Sequence, residues 1–235
     1  MPSAIFPFDP ETLVLDTKAA AEIGRKFHSE YADRDPYPHI CFDNACPAEV
    51  LDRVRAEFGE RGLAEKSFAR AQENRKYSYT PERLSPYTRA FLHALNSRGF
   101  LAFLENLTGI EGLIPDPYYA GGGIHEVANG GHLDIHADFN HHGKLDLERR
   151  INVLIYLNKD WQEAWGGSFE IWDKQMAAKL HSFIPLFNRM VIFSTGSDTY
   201  HGNPEVVAHP SDESRLSIAL YYYTATWDDT RVGHT

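Results

Sequence analysis

The chain is poor in cysteine, in long apolar runs and in positive charge, and each shortage removes a class of protein. Cys41 and Cys46 are its only cysteines in 235 residues. So sparse a pair is expected to stay reduced, in a reducing cytoplasm. The N-terminus lacks the basic start, apolar core and small-residue cleavage site of a secretory leader, so none is expected. No uncharged apolar stretch approaches the roughly 20 residues a membrane span needs. Lysine and arginine total 23 against 33 acidic residues, a formal charge of −10. That balance speaks against a nucleic-acid groove or an anionic membrane surface as the main partner. Repeats, low-complexity tracts and linker-like segments are missing too. One domain over residues 1–235 is therefore expected, a size that β-rich domains commonly reach.

What is present changes character near residue 115. Before it, apolar residues recur at helical spacing. Ile23, Phe27 and Tyr31 form one stripe, and Val50, Leu51, Val54 and Phe58 form another behind Pro47. Ser85-Pro86 supplies an N-cap and a first-turn proline ahead of Tyr87, Phe91, Leu92 and Leu95. Phe100, Leu101, Phe103, Leu104 and Leu107 make a further helix that Gly109 ends, and this aromatic stripe is expected in the core. His39–Phe42 is a short strand candidate. Residues 61–79 are polar with little periodicity and are expected to form a long loop or short helix, either a lid or a solvated connector. Residues 1–114 are thus expected to be mainly helical support.

After Pro115 and Pro117 come short β-branched and aromatic runs separated by glycine-rich turns. Ile151–Leu157, Ser168–Trp172, Met190–Phe193 and Leu216–Tyr223 are the clearest. The expected fold class is α+β: supporting N-terminal helices and, over 115–228, a double-stranded β-helix, the jelly roll of cupin-like proteins.

Within that region stands His136-Ala137-Asp138. Residues i and i+2 do not face each other on a helix but project to the same side of a strand, so an extended backbone lets both reach one metal. His201 is the best third ligand, and two histidines with one carboxylate make the facial set of non-haem Fe(II) oxygenases. Arg215 and Ser217 follow on the last strand with equal parity. Arg149 and Arg150 look like surface charges at a strand start. His141-His142 looks like part of a turn. His125 and His132 can each touch substrate or be ordinary strand or turn histidines, and Trp172 suits either a pocket wall or sheet packing.

His136-x-Asp138, His201 and Arg215, together with Tyr156-Leu157-Asn158-Lys159-Asp160-Trp161, Gly166-Gly167-Ser168-Phe169 and Asn188-Arg189-Met190-Val191, resemble the Fe(II)/2-oxoglutarate-dependent dioxygenases. The order of these blocks is most similar to that of the prolyl-4-hydroxylase-like branch. The resemblance covers about residues 118–226 and implies the following. His136, Asp138 and His201 are the catalytic and metal residues and hold Fe(II). Arg215, Ser217 and Tyr156 bind the distal carboxylate of the cosubstrate 2-oxoglutarate. O2 is consumed, ascorbate is supportive, and an unactivated C–H of a prolyl, amino-acid or peptide-like substrate is hydroxylated with succinate and CO2 as co-products. The carboxylate of Asp138 favours hydroxylation over halogenation, since related halogenases carry a small residue there. Tyr221 stands where nucleic-acid demethylases carry a further arginine. The interval from His201 to Arg215 is longer than that branch shows, with His209–Glu213 as an extra loop. Two alternatives stay open: an oxygenase for a non-peptide natural product, and a cupin-like metal-binding or sensing domain without 2-oxoglutarate turnover.

Overall fold

The computed structural model describes residues 3–58, 66–69 and 73–225. Its helices are α1 (Thr17–Ala32), α2 (Ala48–Ala56), α3 (Pro86–Leu95) and α4 (Arg98–Thr108). Their ends have local causes. The Asp16 carboxylate accepts the Ala19 N–H at the start of α1, and the Ser85 hydroxyl accepts that of Thr88 ahead of Pro86 in α3. Gly109 stops α4 in the left-handed region at φ 71°. Helix α1 lies against α4 so closely that a Cβ at Gly24 would collide with the Phe103 carbonyl. Beneath the helices Phe6, Phe42, Phe100 and Phe103 are buried, with the Phe6 and Phe103 rings edge-on at 4.5 Å. Each such ring contributes about 1.5–3 kcal/mol by leaving water.

The strands are β1 (His39–Phe42), β2 (Lys66–Ala69), β3 (Glu73–Tyr79), β4 (Ile114–Pro115), β5 (Gly123–His136), β6 (His141–His142), β7 (Leu147–Tyr156), β8 (Phe169–Trp172), β9 (Lys179–Phe183), β10 (Met190–Ser194), β11 (His201–Asn203) and β12 (Arg215–Thr224). They pair in the order β1-β10-β7-β12-β5-β11-β8-β9, with β3 also on β5 and β2 on β3. The sheet curls into the expected double-stranded β-helix with supporting helices, an α+β fold. Strand β5 joins its two parts. Its beginning pairs with β12, Val127 opposite Arg215 and His125 opposite Ser217, and its end pairs with β11, His136 opposite His201. Gly130, at φ 79°, and Gly131 lie between these two pairings.

Three expectations are corrected. Within residues 61–79, β2 and β3 form a hairpin whose second strand pairs with β5, in place of a loop or short helix; residues 59–65 and 70–72 lie outside the described residues. Backbone pairing, rather than an apolar face, makes β3 a strand. The first half is therefore less helical than its stripes imply, since β1 and β3 both enter the sheet. His141-His142 is not a plain turn but the short strand β6, paired with β7.

The long segment between β11 and β12 is fastened at both ends. Val207 is buried with Val127 and Trp161, and it exchanges backbone hydrogen bonds with Gly130 and Gly131. Glu213 accepts hydrogen bonds from Arg55 and Asn158, while the Asn158 carbonyl oxygen accepts the Leu216 N–H at 2.6 Å. These contacts set where Arg215 enters the sheet.

Candidate metal centre

His136 ends β5, and Asp138 follows on extended chain. The pairing of His136 with His201 across β5 and β11 then brings two imidazoles and one carboxylate together. One ligand atom from each lies within 4.8 Å of the others, the one such group among the described residues. Both rings are held in a known tautomer. His136 Nδ1 is 2.8 Å from the Asp134 carbonyl and His201 Nδ1 is 3.0 Å from that of Thr199. A carbonyl only accepts, so each Nδ1 carries the proton and each neutral ring leaves Nε2 bare.

Those bare nitrogens point at Asp138: His201 Nε2 lies 3.2 Å from Oδ2 and His136 Nε2 lies 3.6 Å from Oδ1. Lone pairs facing one another at such distances call for a cation between them. Two nitrogens and one oxygen on one side suit Fe(II), with positions left for other ligands. Burial opposes a charge on Asp138, but the Arg149 guanidinium and the His201 and His136 imidazoles outweigh it and hold the carboxyl well below its ordinary range. Burial lowers His201, whereas the Asp138 carboxylate outweighs burial at His136 and raises it.

A cavity of about 80 Å³ runs from these three residues to Arg215 and Ser217. Arg215, Ser217, Ala219 and Tyr221 alternate along β12 and all face it, while Leu154, Phe169 and Phe193 give it apolar walls. Arg215 is 4% exposed. Its Nε donates to the Gly167 carbonyl at 2.7 Å, and Nη2 is 3.5 Å from the Tyr156 hydroxyl. No carboxylate pairs with it among the described residues. A buried guanidinium without a counter-ion is costly, and an anion with a planar carboxylate removes that cost. Gly167 is glycine for two reasons: φ is +69°, and a Cβ would press on the Arg215 side chain at 2.9 Å. Tyr156, buried behind Arg215, lies opposite Ser217 in the β7–β12 pairing. Burial, partly offset by Arg215, pushes its hydroxyl up to about 12, so it is a neutral donor.

The other histidines separate. His125 lines the cavity, gives its Nε2 proton to the Gly121 carbonyl and is kept neutral, its pKa lowered to about 3 by burial and by Lys76. His132 lies beside Asp134 and His141 beside Asp146, outside the cavity. His142 is buried and lines a neighbouring pocket of about 410 Å³ with Phe139, Tyr118, Lys144, Ser78 and Thr80. Trp172 donates to Glu170, and Phe169 takes the wall position instead.

One residue changes role altogether. Arg149 is not a surface charge: it is 2% exposed, and Nη2 lies 3.0 Å from Asp138 Oδ2. Asn152 donates to the same oxygen at 2.7 Å. Residues three apart on a regular strand face opposite ways, but here the pairing shifts by one residue: Ile151 faces Tyr222 and Arg149 faces Tyr223. Arg150 is the extra residue, and this bulge turns Arg149 to the face of Asn152 and Leu154.

Comparison with known proteins agrees with this geometry. Residues 122–223 match the profile of the 2OG-Fe(II) oxygenase superfamily. A stretch of 79 residues, 32% of the chain, is 32% identical to the prolyl 3-hydroxylase OGFOD1 of Mus musculus, and spans 14% of that protein. A Pseudomonas putida prolyl-4-hydroxylase superposes with a TM-score of 0.61 at 18% identity, over 86% of this chain and 99% of the other. The Trichoplax adhaerens prolyl hydroxylase, solved with a hypoxia inducible factor peptide fragment, gives 0.60 at 12% identity over 88% and 91%. HygX of Streptomyces hygroscopicus, solved with nickel and 2-oxoglutarate, gives 0.54 at 11% identity over 84% and 87%. At such identities these structures share the fold.

Proposed function

With residues 122–223 belonging to the 2OG-Fe(II) oxygenase superfamily, we propose that the protein is an Fe(II)- and 2-oxoglutarate-dependent hydroxylase. Its substrate is a prolyl, amino-acid or peptide-like molecule, and succinate and CO2 are the co-products. The observation that carries the reading is that one small cavity has three converging metal ligands at one end and, at the other, a buried guanidinium with no carboxylate partner among the described residues. When bound, the iron supplies the oxygen activation that no side chain can provide.

The chain's own residues do the rest. His136, Asp138 and His201 hold the metal on one face, each imidazole oriented by its backbone carbonyl. Arg215 binds the distal carboxylate of 2-oxoglutarate, Ser217 adds a hydroxyl, and Tyr156 supports Arg215 from behind. Leu154, Phe169 and Phe193 keep water from the length of the cosubstrate. The larger pocket begins at Phe139, next to Asp138, and offers aromatic walls and hydroxyls for the substrate. The protein named as a prolyl hydroxylase with a bound peptide, and the mouse prolyl 3-hydroxylase, support a prolyl substrate. Cys41 and Cys46 are free thiols, which supports a reducing cytoplasm. No helix among the described residues is long and apolar enough to cross a membrane.

The test is succinate release by the pure protein with Fe(II), ascorbate and 2-oxoglutarate, first alone and then with prolyl peptides. Expected are slow succinate formation without substrate and faster formation, with a gain of one oxygen, when the right peptide is present. Absence of succinate across peptides and cell extracts would sink the reading.

A further inference from the structure

We infer that Arg149 and Asn152 are positioning residues that reserve one oxygen of Asp138, Oδ1, for the metal. The inference rests on the proposed metal site and concerns a feature that the three ligands alone do not explain. Asp138 Oδ2 accepts a hydrogen bond from Asn152 Nδ2 at 2.7 Å and forms an ion pair with Arg149 Nη2 at 3.0 Å. The hydrogen bond and the ion pair both fall on that one oxygen. Oδ1 faces His136 Nε2 at 3.6 Å, while Oδ2 also lies 3.2 Å from His201 Nε2.

The clamp is itself held in place. Arg149 Nε donates to Asn152 Oδ1 at 2.9 Å, so the two donors act as a unit. The guanidinium lies over the Tyr221 ring at 3.5 Å and near that of Phe139 at 4.7 Å. Tyr221 is anchored in turn by its hydroxyl, which donates to the Gly121 carbonyl at 2.9 Å. Planar stacking, with one nitrogen on Asp138 and another on Asn152, requires arginine; lysine would supply charge without the fork. A carboxylate held in this way binds through one oxygen and leaves free a coordination position that a two-oxygen carboxylate would take. Oxygen chemistry beside a chelating cosubstrate needs that position.

Co(II), whose visible spectrum reports coordination, can be titrated anaerobically into the full chain and its variants Arg149→Gln, Arg149→Lys and Asn152→Ala. Circular dichroism of each metal-free protein checks the fold. The expected result is a loss of Co(II) affinity of about 10–100-fold in Arg149→Gln, the range typical of residues that orient metal ligands, with a changed spectrum. Arg149→Lys should recover part of the affinity but not the spectrum. Asn152→Ala, which keeps the ion pair, should shift the spectrum in the same sense and keeps the inference testable if Arg149→Gln does not fold. Affinity and spectrum in Asn152→Ala and in the folded Arg149 variants equal to those of the unaltered protein would overturn the inference alone. Failure of the unaltered protein to bind Co(II) would overturn it together with the proposed function.

Discussion

The two ends of the cavity handle charge in opposite ways. At the metal end the carboxylate of Asp138 is answered inside the protein by Arg149 and Asn152. At the other end Arg215 has a carbonyl and a phenol beside it and no carboxylate among the described residues. At the first end the protein supplies its own counter-charge to the carboxylate, in Arg149. The second is left in debt, a buried cation whose partner must come from solution. The contrast separates structural charge from binding charge, and it can be broken from either side.

The largest effect is expected at the ligands. His201→Ala should bring succinate formation to background, measured with Fe(II) and saturating 2-oxoglutarate. Next comes Arg149→Met, which strands Asp138 in the interior; urea unfolding of the metal-free protein should register a loss of about 3–5 kcal/mol. Arg215→Met should behave in the opposite way. Without cosubstrate its stability should be equal to or above that of the unaltered protein, while 2-oxoglutarate binding, followed by calorimetry with Mn(II), weakens about 100-fold. A destabilised Arg215→Met with normal 2-oxoglutarate affinity would erase the distinction between the two ends. The smallest effect is expected from Ser217→Ala, which removes one hydroxyl and should raise the 2-oxoglutarate requirement about 10-fold, as loss of one hydrogen bond to a charged group does.

How much of this was legible in the residues follows from what kind of signal each element leaves. Ser85-Pro86 and Gly109 mark helix ends by local chemistry, and the structure has those ends. His136-x-Asp138 is visible because a two-residue spacing has one meaning on extended chain. Strand β3 is hidden, since Glu73, Asn74, Arg75 and Lys76 have no apolar alternation and the strand exists by pairing with β5. Arg149 is hidden for another reason. Ile151, Val153 and Ile155 set the apparent inner face of β7, yet this strand is covered on both sides, so alternation no longer tells inside from outside. By alternation Arg149 would share the face of Ile151, Val153 and Ile155, so its charge looks like the exposed start of the strand unless the bulge at Arg150 is known. The extra loop His209–Glu213 was visible as an insertion, but the fastening of the segment around it by Val207 and Glu213 depends on Gly130, Gly131 and Asn158, all distant in sequence.

That bulge has a consequence for how such proteins are recognised. A chain in which Glu148 and Arg149 had exchanged places would still carry His136, Asp138, His201, Arg215, Ser217 and Tyr156 in order, and any search by motif would accept it. Position 148 pairs with Thr224, one residue past Tyr223, so the arginine would turn away from Asp138, and the carboxylate would be free to grip the metal with both oxygens. Carrying the motif and competence for its chemistry are thus separated here by one residue that touches neither metal nor cosubstrate.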